Sequence, residues 1–95
     1  MNRNKFIHKH ERKQRLKAQK YLGRYFKSYK FTNRSYMFVE PKCISTDNKI
    51  VCEVYRPPEY SPIIGQYDPD SFERNIRSAC FVEIAEDEFI VGILS

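Results

Sequence analysis

Residues 10–31 read HERKQRLKAQKYLGRYFKSYKF, and the secondary structure given to them decides how the rest of the chain can pack. On a helical wheel, Ala18, Tyr21, Leu22, Tyr25, Phe26 and Tyr29 gather on one side. Lys13, Lys17, Lys20, Arg24, Lys27 and Lys30 gather on the other, and only Arg15 and Leu16 break the division. Such a division predicts a long, basic, amphipathic helix whose aromatic stripe docks through residues 17–30. Gly23 inside it costs about 1 kcal/mol relative to Ala, which packing can absorb. Thr32-Asn33 is the expected stop.

The same wheel weakens toward the N-terminus, where Glu11 and Gln14 enter the stripe and Phe6 falls among the cations. Residues 1–16 are therefore expected to form a basic N-terminal extension that orders on contact, with residues 17–95 a single α+β domain. Charge follows the same division. Residues 1–34 carry twelve of the seventeen Lys/Arg and one acid, Glu11, for a net +11, whereas residues 35–95 carry a net −6. This asymmetry points to a basic arm for a polyanion set on an acidic body. The alternative, an arm folded back on the body to neutralise it, would leave much of the +11 uncompensated.

Downstream, SYMFVEPKCIS (35–45) and NKIVCEVYR (48–56) are rich in β-branched and aromatic residues and predict two strands. A two-residue Asp47-Asn48 turn would gather Met37, Val39, Pro41, Cys43, Ile50, Cys52 and Val54 on one apolar face, with Cys43 opposite Cys52. Those two cysteines are expected to behave as small buried hydrophobes rather than a disulfide. Pro41 donates no ladder hydrogen bond, which predicts an edge strand or a bulge. The Pro-studded stretch 57–69 reads as irregular. Asp68 can cap a short helix with Pro69 in its first turn and Phe72 and Ile76 on one face. The closing SACFVEIAEDEFIVGILS (78–95) reads as two strands around an acidic turn at Glu86-Asp87-Glu88. The expected fold is thus a long N-terminal helix on a four-stranded, mostly antiparallel sheet of two hairpins, with a short second helix.

Chemistry finds little support. His8 and His10, the only histidines, point about 200° apart on a helix and cannot share a metal there. Cys43, Cys52 and Cys80 have no zinc-ligand spacing, and no glycine-rich phosphate loop occurs. Neither an enzyme, a cofactor, a metal nor a small-molecule substrate is expected. The acidic cluster reads as a solvated hairpin tip. No apolar run approaches the roughly 20 residues of a membrane span, and the N-terminus lacks an apolar signal segment. A cytoplasmic, reducing compartment is the expectation.

Nucleic-acid binding is the function expected first, with RNA or a ribonucleoprotein ahead of DNA. Arg3, Lys5, Lys9, Arg12, Lys13, Arg15, Lys17, Lys20, Arg24, Lys27 and Lys30 would follow a phosphate backbone. Six to eight engaged cations would give a log–log salt slope of about −5 to −7. Base stacking is not implied, because the aromatics are assigned to the packed face, leaving Phe6, Phe38 or Tyr55 to point outward. The alternative is a small regulator or inhibitor of a larger protein complex, of the kind a phage or virus encodes, docking through an acidic edge at Glu86, Asp87 and Glu88. Attachment to an anionic membrane ranks last, since the apolar stripe is needed inside the domain.

Overall fold

The computed structural model describes residues 3–29, 36–57, 59 and 61–95, with side chains of the first helix from Lys9 onward. It is an α+β fold with a five-stranded antiparallel sheet and three helices among the described residues. The order is α1 (Arg3–Gln19), β1 (Tyr25–Ser28), β2 (Met37–Ile44), β3 (Ile50–Tyr55), β4 (Ile63–Tyr67), α2 (Pro69–Arg77), β5 (Phe81–Ile84) and α3 (Glu86–Ile93). In the sheet the strands lie β4-β3-β2-β1-β5. Both β4 and β5 run antiparallel to their neighbours and so in the same direction as each other. The chain must therefore cross the sheet between them, and α2 makes that crossing.

The first departure from expectation is the N-terminal helix, which covers residues 3–19 rather than 17–30. It ends in a turn closed by hydrogen bonds from Tyr21 N to Ala18 O (3.2 Å) and Arg24 N to Tyr21 O (3.2 Å). Gly23 supplies the left-handed backbone (φ 77°) that sends the chain back as a strand. The aromatic run then becomes β1, in which Phe26 and Ser28 are buried on one face while Tyr25 and Lys27 are half-buried on the other. A one-sided strand would have alternated apolar and polar residues. Here both faces are covered, so the adjacent Tyr25 and Phe26 are both packed and imitate a helical stripe.

The β2–β3 hairpin forms as expected, with a different turn and register. Its turn is a three-residue loop, Thr46–Asn48, with Asn48 at φ 63° and Asn48 N donating to Ser45 O at 3.0 Å. Val39 pairs Val54 and Pro41 pairs Cys52, after which a bulge at Lys42 shifts the register so that Cys43 pairs Val51. Pro41 thus lies in a central strand and is accommodated by the bulge. The bulge turns Cys43 to solvent while Cys52 is fully buried, so the two do not face each other and both are free. Burial pushes the Cys52 thiol up to about 12.

Two further expectations fail. Within the stretch read as irregular, Ile63–Tyr67 forms the edge strand β4. The closing hairpin is a strand followed by a helix, because Glu86, Asp87 and Glu88 occupy the first turn of α3, where negative charge suits the helix dipole. Asp68 occupies the N-cap position of α2, but its carboxylate makes no capping hydrogen bond and faces Lys49 instead, at 3.5 Å. Pro69 opens the helix, and Phe72 and Ile76 point to the core as expected.

The core has two layers. Between α2 and the sheet, Phe72 is fully buried, with ring centroids 4.9 Å from Tyr21, 5.2 Å from Phe26, 5.8 Å from Tyr67 and 5.2 Å from Phe81. On the opposite face, Phe89 of α3 sits among Tyr25 (4.7 Å), Tyr55 (5.6 Å) and Phe38 (6.1 Å). Gly92 lets α3 approach the sheet, since a Cβ there would overlap the Phe38 ring. Gly92→Ala is expected to cost about 1–3 kcal/mol by overpacking, measured by urea denaturation, despite the better helix propensity of Ala. Ala79, just past α2, adopts φ 60°, where glycine is the usual residue. Ala79→Gly is expected to raise stability by about 1 kcal/mol in the same assay, and a loss would contradict the strain.

Candidate nucleic-acid interface

The end of α1 is fixed by one small residue and three polar contacts. Ala18 is fully buried. Lys17 Nζ bonds Asp70 at 2.8 Å, Gln14 Nε2 donates to the same carboxylate at 3.4 Å, and Arg15 donates to Asn48 at 3.5 Å. Once Ala18 and Gln14 face inward, the 3.6-residue repeat turns Lys9, Arg12, Lys13 and Leu16 outward. All four are exposed, as is Lys20 in the turn that follows. The helix lies along the α2 side of the β2–β3 loop and extends the molecule to 55 × 23 × 21 Å.

The expected cationic ridge is divided by this geometry. Lys13 and Lys17 lie on α1, Lys20 and Arg24 flank the Gly23 turn, and Lys27 lies in β1. Arg24 makes a two-pronged bond to Glu83 of β5, with Nε to Oε2 at 2.8 Å and Nη2 to Oε1 at 2.6 Å. Its guanidinium also lies 5.4 Å from the Tyr21 ring centre and 5.8 Å from that of Phe26. Arg24 and Lys17 therefore join β1 and α1 to the acidic body. By contrast, Lys9, Arg12, Lys13, Arg15 and Lys20 have no carboxylate within 4.0 Å among the described residues. The side chains of Arg3, Lys5 and Lys30 lie outside the described residues, as does that of Phe6.

Lys27 has a different environment. Its ammonium sits 4.3 Å from the ring centre of Tyr36, 5.3 Å from Tyr29 and 5.8 Å from Phe38. Tyr29 and Tyr36 are 50% and 45% exposed and meet edge to face at 5.3 Å. Sequence reasoning missed this pair because the helix reading sent Tyr29 to the core. A strand through residues 25–29 would have put Tyr25, Lys27 and Tyr29 on one face. Of the other residues expected to point outward, Phe38 is instead buried beneath α3, and Tyr55 is half-buried, donating to Glu53 at 2.6 Å.

Glu86, Asp87 and Glu88 are exposed at the start of α3, with Tyr25 Oη donating to Glu86 at 3.2 Å. An open cleft of about 580 Å³ separates α1 from the start of α2 and the β2–β3 loop. Its lining includes Glu11, Asp47, Asp68 and Asp70 against His10 and Arg74, a balance that repels phosphate. Among the described residues no group of His, Cys, Asp or Glu is arranged to hold a metal ion. No helix among them is long and apolar enough to cross a membrane.

The ion pairs predict a pH response. The hydrogen bond from Lys17 holds the Asp70 carboxyl below its ordinary range, and that from Arg24 does the same for Glu83. Carboxyls depressed in this way stabilise the fold above their unfolded pKa of about 4, and the contribution is lost as pH falls through the lower folded value. The thermal midpoint is therefore expected to fall as pH drops below about 4, and less steeply for Glu83→Gln, which has no charge to lose. Identical pH profiles for the two proteins would exclude this origin.

Compared with known proteins, the chain matches no protein-family model, no curated protein sequence and no solved structure.

Proposed function

We propose that this is a non-catalytic nucleic-acid-binding protein that grips phosphates through the outer face of α1, with RNA or a ribonucleoprotein surface favoured over DNA. The observation that supports this most is the sorting of cations. Lys17, Arg24, Lys42, Lys49, Arg56 and Arg77 each pair with a carboxylate. Lys9, Arg12, Lys13, Arg15, Lys20, Lys27 and Arg74 do not among the described residues. Of these, Lys9, Arg12 and Lys13 share the solvent side of α1, with Lys20 in the turn that follows. A run of unpaired cations along a helix suits regularly spaced phosphates, whose counterions are released on contact. The net −6 of residues 35–95 disfavours burial within a polyanion and favours one-sided contact, as at a ribonucleoprotein surface. A cytoplasmic setting belongs to the same reading, in keeping with the three free thiols.

Five cations, Arg15 included, give an expected salt slope of about −4.5 on a duplex. Replacing Lys9, Arg12 and Lys13 together by Gln is expected to weaken binding to all sequences alike and to flatten that slope by about three. These side chains are exposed, so circular dichroism should be unchanged. Salt-independent binding, or unaltered affinity in the triple variant, would sink the proposal.

A second reading, a regulator of a larger protein complex, is favoured by the outer side of α3. There Ile90 (44%), Val91 (67%) and Leu94 (69%) are exposed beyond the acidic first turn. A partner retained after nuclease treatment and lost on Val91→Asp would favour that reading.

A further inference from the structure

We propose that Lys27, Tyr29 and Tyr36 form a stacking platform for unpaired bases of single-stranded RNA, an inference that rests on the nucleic-acid reading above and assigns it a second contact. The platform stands at the end of the sheet remote from the α1 contact. Arg15 of α1 bonds Asn48 in the β2–β3 loop, whereas Tyr29 follows β1 and Tyr36 precedes β2 at the other end of those strands. Continuing the register in which Ser28 pairs Met37 brings Tyr29 opposite Tyr36. The strand register thus places the two rings beside each other.

Three features point to a base. First, the described aromatic residues elsewhere are buried or half-buried, and only these two are exposed. Second, the rings are held in advance. The edge-to-face contact fixes one against the other, and the Lys27 ammonium lies over both, supported by the buried ring of Phe38. A tyrosine ordered before binding loses little further rotamer freedom when a base stacks on it. Third, Lys27 has no carboxylate partner among the described residues, so its charge is available to the phosphate next to a stacked base. Aromatic faces beside unpaired cations are the parts from which single-strand sites are built, and each stacked base contributes about 1–3 kcal/mol by alanine substitution. A duplex, whose bases are already stacked, cannot use the platform.

The chain has no tryptophan, so Tyr36→Trp introduces a single reporter at the platform. Titrated with a single-stranded oligouridylate about twelve nucleotides long, its emission is expected to be quenched, and with duplex RNA it is not. The variant Tyr29→Ala/Tyr36→Ala is expected to bind the oligouridylate about tenfold or more weakly, with duplex affinity and salt slope unchanged. Tyr29→Phe/Tyr36→Phe, which keeps the rings, is expected to bind as wild type. If the alanine variant binds the oligouridylate as tightly as wild type, the platform is refuted while the phosphate grip of α1 stands. If wild type binds neither form of RNA at low salt, both readings fall. A protein partner lost in the alanine variant, with RNA affinity unchanged, would make the platform a protein contact and overturn the inference.

Discussion

The fold depends on the ring of Phe72. It reaches from α2 to Tyr21 in the turn after α1, to Phe26 in β1, to Tyr67 in β4 and to Phe81 in β5. These elements come from both edges and the interior of the sheet and from both ends of the chain. Burying one phenyl group there removes water from several otherwise unconnected surfaces. Deleting a buried Phe side chain costs of order 3–5 kcal/mol, against a total of 5–15 kcal/mol for a domain of this kind. The same contact also fixes the course of α1. Tyr21 is held against Phe72, and that contact sets where α1 leaves the body.

Placing α1 in this way separates cations that look alike in sequence. Lys17 and Arg24 are drawn to Asp70 and Glu83, so a fraction of the N-terminal charge neutralises the acidic body. Both pairs lie near the surface, where an ion pair contributes little energy and mainly fixes orientation. The cations on the other side of α1 remain open to solvent and supply the proposed grip on phosphates. Lys27 belongs to neither group, since its partners are rings.

Much of the fold was legible locally. The β2–β3 hairpin showed in its apolar alternation, and α2 showed in Asp68, Pro69 and the Phe72–Ile76 spacing. The misreading of β1 has a plain physical cause. Periodicity distinguishes helix from strand when one side faces water, and this sheet has α2 on one face and α3 on the other. Tyr25 and Phe26 are both packed, on opposite faces, and so imitated a helical stripe. At the C-terminus, the apolar run from Phe89 to Ile93 suggested a strand with Phe89, Val91 and Ile93 on one face, although Phe89 and Gly92 carry the three-residue spacing of a helix. The acidic residues between β5 and α3 suit a turn and a helix start equally well.

The sequence by itself determined the α+β class, the polarity of charge between the two parts of the chain and the identities of the hairpin and of α2. Each of these is a local property, readable from composition or from neighbours a few residues apart. Only the tertiary structure decided that residues 25–28 are a central strand, that Arg24 and Lys17 are engaged by carboxylates, and that Tyr29 and Tyr36 stand together in solvent. Those outcomes depend on partners more than fifty residues away, or on a cross-strand register. No window of sequence contains them, because the free energy that selects them comes from burying distant side chains against one another.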